Sequence, residues 1–170
     1  MHDMKTAASY LCGRYEETYD QKIDEMKLHK LMYFAQRESL IQRDEPLFEA
    51  EFQGWRFGPV LPALREVYKA NDFAPLEELE LGADQAVLDA VFDEYAETDS
   101  WNLSLLSHGE ICWKRSRNWR AEDGRYIPRA DRFLDEKHYL EIPKGTVPMG
   151  ATGHLGKAEL EAIERLMNGK

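Results

Sequence analysis

The chain has 170 residues, 43% of them hydrophobic and 11% aromatic, with a formal charge of −10; one domain of that length builds a core without a disulfide or metal staple. No run approaches the ~18 apolar residues of a membrane span, and Met1-His2-Asp3-Met4-Lys5 leads into a polar amphipathic stretch, not a secretory signal. The acidic excess repels phosphate backbones, so nucleic acid is not an expected partner, and Cys12 and Cys112 make neither a zinc quartet nor a C-x-x-C pair, which fits reduced thiols in a cytoplasm.

Ala8, Leu11, Cys12, Tyr15 and Tyr19 fall on one helical face, predicting a helix over 6–19. Asp24 is a cap for a second helix running to about Ile41, with Leu28, Leu31, Met32 and Ala35 as its buried stripe and Tyr33 and Phe34 flanking it. After the turn Asp44-Glu45-Pro46, Phe48, Ala50 and Phe52 alternate with Glu49, Glu51 and Gln53, which predicts a half-buried strand over 48–57 with a bulge or close approach at Gly54. Gly58-Pro59-Val60-Leu61-Pro62 is expected to end that strand, and Pro62 to open a helix over 62–70 carrying Leu64, Val67 and Tyr68.

A loop over 71–82 precedes a helix over 83–96 with Leu88, Val91, Phe92 and Tyr95 inside. Asp99 or Ser100 caps the next helix, with Leu103, Leu105 and Leu106 expected in the core and a break at Ser107-His108-Gly109. A short helix through Ile111 and Trp113, a turn at Asp123-Gly124 and a helix from Pro128 with Phe133 and Leu134 follow. Prolines and glycines between Ile142 and Gly156 make an extended connector, and Leu160, Ile163, Leu166 and Met167 line a last amphipathic helix. The sum is a mainly α domain (α+β), compact and helical, with a small β-element near 48–57. The expected division is a domain at 1–140 and a connector with C-terminal helix at 141–170.

No constellation of catalytic residues emerges. Gly150-Ala151-Thr152-Gly153-His154-Leu155-Gly156 lacks the preceding strand and following sheet of a dinucleotide site, and Lys157-Ala158 does not complete a P-loop. His108-Gly109-Glu110 matches the H-x-E of zinc deaminases without their P-C-x-x-C pair, and His108, Glu110 and Cys112 make a poor metal set. Neither a metal nor another cofactor is expected. An enzyme with a site around His108 and Cys112 is the alternative of a different class. Lys114, Arg115, Arg117 and Arg120, interleaved with Trp113 and Trp119, read as cations near a helix C-terminus ahead of a phosphate site.

One pattern is specific. Lys27-Leu28-His29-Lys30-Leu31-Met32-Tyr33-Phe34-Ala35-Gln36 is followed by Glu51-Phe52-Gln53-Gly54-Trp55-Arg56-Phe57-Gly58-Pro59-Val60-Leu61-Pro62, then by Leu103, Leu106, Ser107-His108 and Trp113. In order and spacing this resembles the Panacea domain family, which includes SocA-like antitoxins and phage-associated GepA-like proteins. The resemblance covers about residues 5–135; it departs at Gly54, often Ala in the family, at Ser107 for Thr and at Cys112 for Pro. It implies a non-enzymatic antitoxin of a bacterial or phage toxin–antitoxin system whose partner is a cognate toxin protein. It also implies the variant mechanism of an adaptor that delivers the toxin to the ClpXP protease.

The motif residues Lys27, Leu31, Tyr33, Gln36, Trp55, Gly58, Pro59, Pro62, His108 and Trp113 are read as fold determinants, because a strand-to-helix corner needs glycine for an unusual φ and prolines for stiffness. Toxin contacts are expected at more exposed positions, with Trp55, Arg56, Phe57, Lys114 and Arg117 as candidates.

Overall fold

The computed structural model describes residues 2–49, 51–110 and 113–114, together with the strand backbone of 120–122, 125–127 and 138–140. Among these residues the helices are α1 (Met4–Tyr19), α2 (Glu25–Arg43), α3 (Pro62–Ala70), α4 (Asp84–Tyr95) and α5 (Ser100–His108). The strands are β1 (Phe52–Trp55), β2 (Gly58–Val60), β3 (Arg120–Glu122), β4 (Arg125–Ile127) and β5 (His138–Leu140). The fold is mainly helical, as the sequence predicts. No helix of the described residues is long and apolar enough to cross a membrane.

Helix starts follow their caps. Asp3, Asp24 and Asp99 each accept a hydrogen bond from the amide three residues on, at 2.6, 2.8 and 2.9 Å. Pro62 takes the first position of α3, as expected. Helices α1, α2 and α3 each end in a left-handed residue, Asp20, Asp44 and Asn71. Helix α2 is the axis of the molecule. It packs on α1, α3, α4, α5 and β2. Its central turns are buried on every side, so Tyr33 and Phe34 lie in the core beside Leu28, Leu31 and Met32.

The β-element differs from its prediction. Phe48 and Phe52 are buried, as the alternation requires, but the strand begins only at Phe52. Gly58–Val60 does not end the strand; it folds back as β2, antiparallel to β1 with Gly54 opposite Pro59. Proline is accepted there because β2 is an edge of the order β2-β1-β5. Gly54 holds the middle of the sheet in regular register, facing Pro59 on one side and His138 on the other. The second sheet pairs β3 with β4, and neither it nor β5 was expected. The predicted Asp123-Gly124 turn, the helix from Pro128 and the whole of 141–170 lie outside the described residues. Leu106 departs from the predicted core: it is 49% exposed, while Leu103 on the same helix is fully buried.

Asp84, at the start of α4, ties together His2 and the end of α2. His2 Nδ1 lies 2.6 Å and Arg43 Nη1 2.7 Å from the Asp84 carboxylate. Burial raises the Asp84 pKa, and the hydrogen bonds from His2 and Arg43 outweigh it, so the net shift is below the ordinary 3.8. A carboxylate with a lowered folded-state pKa stabilises the fold above its unfolded value and loses that contribution as pH falls through the folded value. Asp84→Asn is therefore expected to flatten the loss of stability on acidification below about pH 4, read from urea midpoints at stepped pH. A profile as steep as that of the unsubstituted chain contradicts this assignment.

Candidate interaction site

Six polar residues of α2, Lys27, His29, Lys30, Gln36, Arg37 and Ser39, are buried. All but Arg37 fasten the backbone of the segments that follow. Gln36 uses both ends of its amide: Oε1 accepts from the Leu47 amide at 2.8 Å, and Nε2 donates to the Phe48 carbonyl at 2.9 Å. Lys27 donates to the carbonyl of Ala96, at the end of α4, at 2.8 Å, with its ammonium over the Tyr15 ring. Lys30 is fully enclosed and donates to the Pro59 carbonyl at 3.1 Å. Desolvation brings its amine down from 10.5 to about 7. His29 Nδ1 accepts the Leu61 amide at 3.1 Å, which puts the ring proton on Nε2. Burial lowers its pKa to about 3, so the imidazole is neutral.

A second set of side chains, from α5 and the residues after it, fastens the hairpin. His108 is fully buried, and its Nε2 lies 2.9 Å from the Arg56 carbonyl. Trp113 Nε1 donates to the Trp55 carbonyl at 2.8 Å, and the His108 and Trp113 rings lie 4.0 Å apart. Glu110 receives hydrogen bonds from Tyr33 at 3.1 Å and Arg37 at 3.0 Å. Burial raises the Glu110 pKa, with Arg37 acting against it, while the Glu110 carboxylate overrides the effect of burial on Arg37 and holds the guanidinium charged.

These clamps leave the hairpin turn, Arg56–Phe57, half-buried at the surface. Behind it lies a pocket of about 340 Å³. Helix α2 lends it Glu25, Met26 and His29, the hairpin Trp55, Phe57 and Val60, and α3 Arg65. Its lining is predominantly apolar. Arg65 lies over the Trp55 ring and Arg56 over the Phe57 ring, each 5.2 Å from the centroid.

The sequence-predicted positions divide as follows. Lys27, Leu31, Tyr33, Gln36, Gly58, Pro59, His108 and Trp113 are buried, and Pro62 starts α3. Trp55, Arg56 and Phe57 come together at the pocket. Lys114 is buried rather than exposed, 5% accessible, and Arg117 lies outside the described residues, as does Cys112. Among the described residues no three His, Cys, Asp or Glu side chains are placed to hold a metal. The Cys12 thiol is pushed up to about 12 by burial, which keeps it protonated. Sequence reading did not find His29, Lys30 and Arg37 as buried clamps. The available signal was a cationic and polar set on every face of a helix whose apolar stripe also continues unbroken.

Replacing Gln36 by Leu strands the Leu47 amide and the Phe48 carbonyl in the core. The expected loss is about 2–3 kcal/mol, measured by urea denaturation; a change under about 0.5 kcal/mol, typical of surface sites, contradicts the clamp.

The comparisons with known proteins agree with this motif-built core. The family model described as "Antitoxin SocA-like, Panacea domain" matches residues 28–114. That is half of the chain, from α2 through Lys114, and the chain belongs to this family. It is similar to the protein named "Antitoxin SocA" of Caulobacter vibrioides (strain NA1000 / CB15N), 38% identical over 69 residues. That alignment covers 41% of this chain and 36% of the relative, so it spans about a third of the relative's length. No solved structure matches the chain.

Proposed function

We propose that the chain is an antitoxin with no catalytic activity of its own, which binds a cognate protein toxin directly in the cytoplasm and holds it inactive. Membership of the SocA-like Panacea family is the observation that carries this reading. Of the alternative site around His108 and Cys112, His108 is fully buried with its Nε2 2.9 Å from the Arg56 carbonyl, which supports a structural role for it, and Cys112 lies outside the described residues. The reading takes 1–140 as the binding unit, a boundary supported by the pairing of β5 with β1; the sequence-based expectation for 141–170 is a connector and an amphipathic helix. The toxin-facing surface is the hairpin end, Trp55, Arg56 and Phe57, which the clamps present rigidly.

Co-expression with the protein encoded by the neighbouring gene tests the reading. Growth arrest caused by that protein is expected to be relieved, with the toxin still abundant in cells that have ClpXP and in cells that lack it. Arrest that persists overturns the proposal. Toxin that disappears only where ClpXP is present replaces holding with delivery to the protease.

A further inference from the structure

The pocket behind the hairpin contains two buried N–H donors without a hydrogen-bond acceptor, His29 Nε2 and Arg65 Nε. The His29 side chain is 2% exposed, and the Leu61 amide fixes its Nε2 as the protonated nitrogen. Both donors approach one carboxylate, that of Glu25, whose Oε2 lies 3.7 Å from His29 Nε2 and 3.4 Å from Arg65 Nε. Neither contact has hydrogen-bond geometry. Buried donors are almost always satisfied; the His29 side chain is enclosed while that of Arg65 is 35% exposed, so an acceptor entering the pocket can reach both.

The rest of the pocket restricts what brings that acceptor. Its accessible surface is mostly apolar, and about 340 Å³ is at the small end of the ~300–1,000 Å³ of ligand pockets. That space suits one large side chain better than a cofactor. Arg56 and Arg65 line it against one carboxylate, Glu25, on a chain whose overall charge is −10. This local cationic character against the global sign favours an acidic neighbour and opposes a basic one. Aromatic anchors seated in a partner's pocket and ringed by polar contacts are the usual centres of protein interfaces.

We infer that this pocket is the anchor site for a protein partner that presents a large apolar or aromatic side chain beside a carboxylate. The anchor packs on Met26, Trp55, Phe57 and Val60. The carboxylate takes the hydrogen bonds from His29 and Arg65 that Glu25 leaves unmade, and Glu25 swings out to water. The inference rests on the reading of the chain as a binder of a protein toxin, and names the chemistry of the toxin segment that it grips.

A random-peptide display library panned against the full chain tests this without the toxin in hand. Met26→Arg fills the pocket, and Arg65→Glu reverses its charge; both residues are half-buried and the variants are checked by thermal melts. The unsubstituted chain is expected to enrich peptides with an aromatic or large apolar residue next to Asp or Glu. Met26→Arg weakens those peptides by about 30-fold or more, the size of a lost interface anchor. Arg65→Glu keeps the apolar preference and exchanges the acidic neighbour for a basic one. Peptides without an acidic position, or peptides that bind both variants equally well, overturn the inference. So does a dimer of the chain that Met26→Arg dissociates, since the occupant is then a second copy. The same variants are offered the neighbouring-gene protein. A complex that both variants retain removes the pocket and leaves the antitoxin reading. The acidic–aromatic preference without any such complex removes that reading and leaves the pocket.

Discussion

Glu110→Ala is expected to lower the unfolding free energy by about 3–5 kcal/mol, the range for one half of a buried ion pair. The reason is the state in which it leaves Arg37. That guanidinium is 8% exposed, and it keeps only Glu38 at 2.8 Å and Tyr95 at 3.3 Å as polar partners of Nη2. Tyr33 also loses its hydrogen bond to the Glu110 carboxylate. Because removing both side chains spares the core a guanidinium held by Glu38 and Tyr95 alone, Arg37→Met with Glu110→Leu is expected to recover more than half of the loss. Urea denaturation of the single and double variants measures both. A double variant as unstable as Glu110→Ala, or a single variant within about 0.5 kcal/mol of the parent, contradicts the pairing as a support of the fold.

Gly58→Val is expected to be nearly as damaging, for steric reasons. Gly58 has φ 113°, a conformation closed to a β-branched residue. A Cβ there falls on the Ser107 hydroxyl and comes within 2.8 Å of Lys30 Cε. Both side chains are buried, and Lys30 is held to the Pro59 carbonyl. Backbone strain alone costs about 1–3 kcal/mol, and displacement of the lysine adds to it. A total near 3 kcal/mol lowers the melting midpoint by about 6–12 °C in a domain of this size. An unchanged midpoint with lost partner binding moves Gly58 from the scaffold to the contact surface.

Much of the helical frame was legible because its signals are local. Asp24 and Asp99 cap α2 and α5 as their side chains dictate, and Pro62 opens α3. The unusual φ of Gly58 was legible from its place at a corner between two prolines and a strand. The sheet was not, because its pairing is remote. Residues 138–140 join β1 across more than eighty residues, and three-residue strands carry too little alternation to show themselves. Leu106 was misplaced for a related reason: α5 is a short helix with three leucines in four positions, and only its docking on α2 decides which of them turn inward.

The site was half legible. Trp55, Arg56 and Phe57 were named from the sequence as candidate contact residues, and the structure brings them together at the pocket. The clamps were legible only in part. Lys27, Gln36, His108 and Trp113 were read as fold determinants, but nothing in the sequence shows the backbone carbonyls and the carboxylate that hold Lys27, Lys30 and Arg37. Lys114 failed as an exposed cation for the same reason, being enclosed next to Trp113. Charge in a sequence does not reveal burial when the compensating partner is a carbonyl contributed by a distant turn.

The central claim is that the chain acts by holding a protein. Its most direct test is calorimetric titration of the purified full chain with the protein encoded by the neighbouring gene. Holding requires a saturable complex of fixed stoichiometry at nanomolar affinity, about −12 kcal/mol, and Arg65→Glu weakening it. Growth rescue without any measurable complex contradicts direct binding as the mechanism.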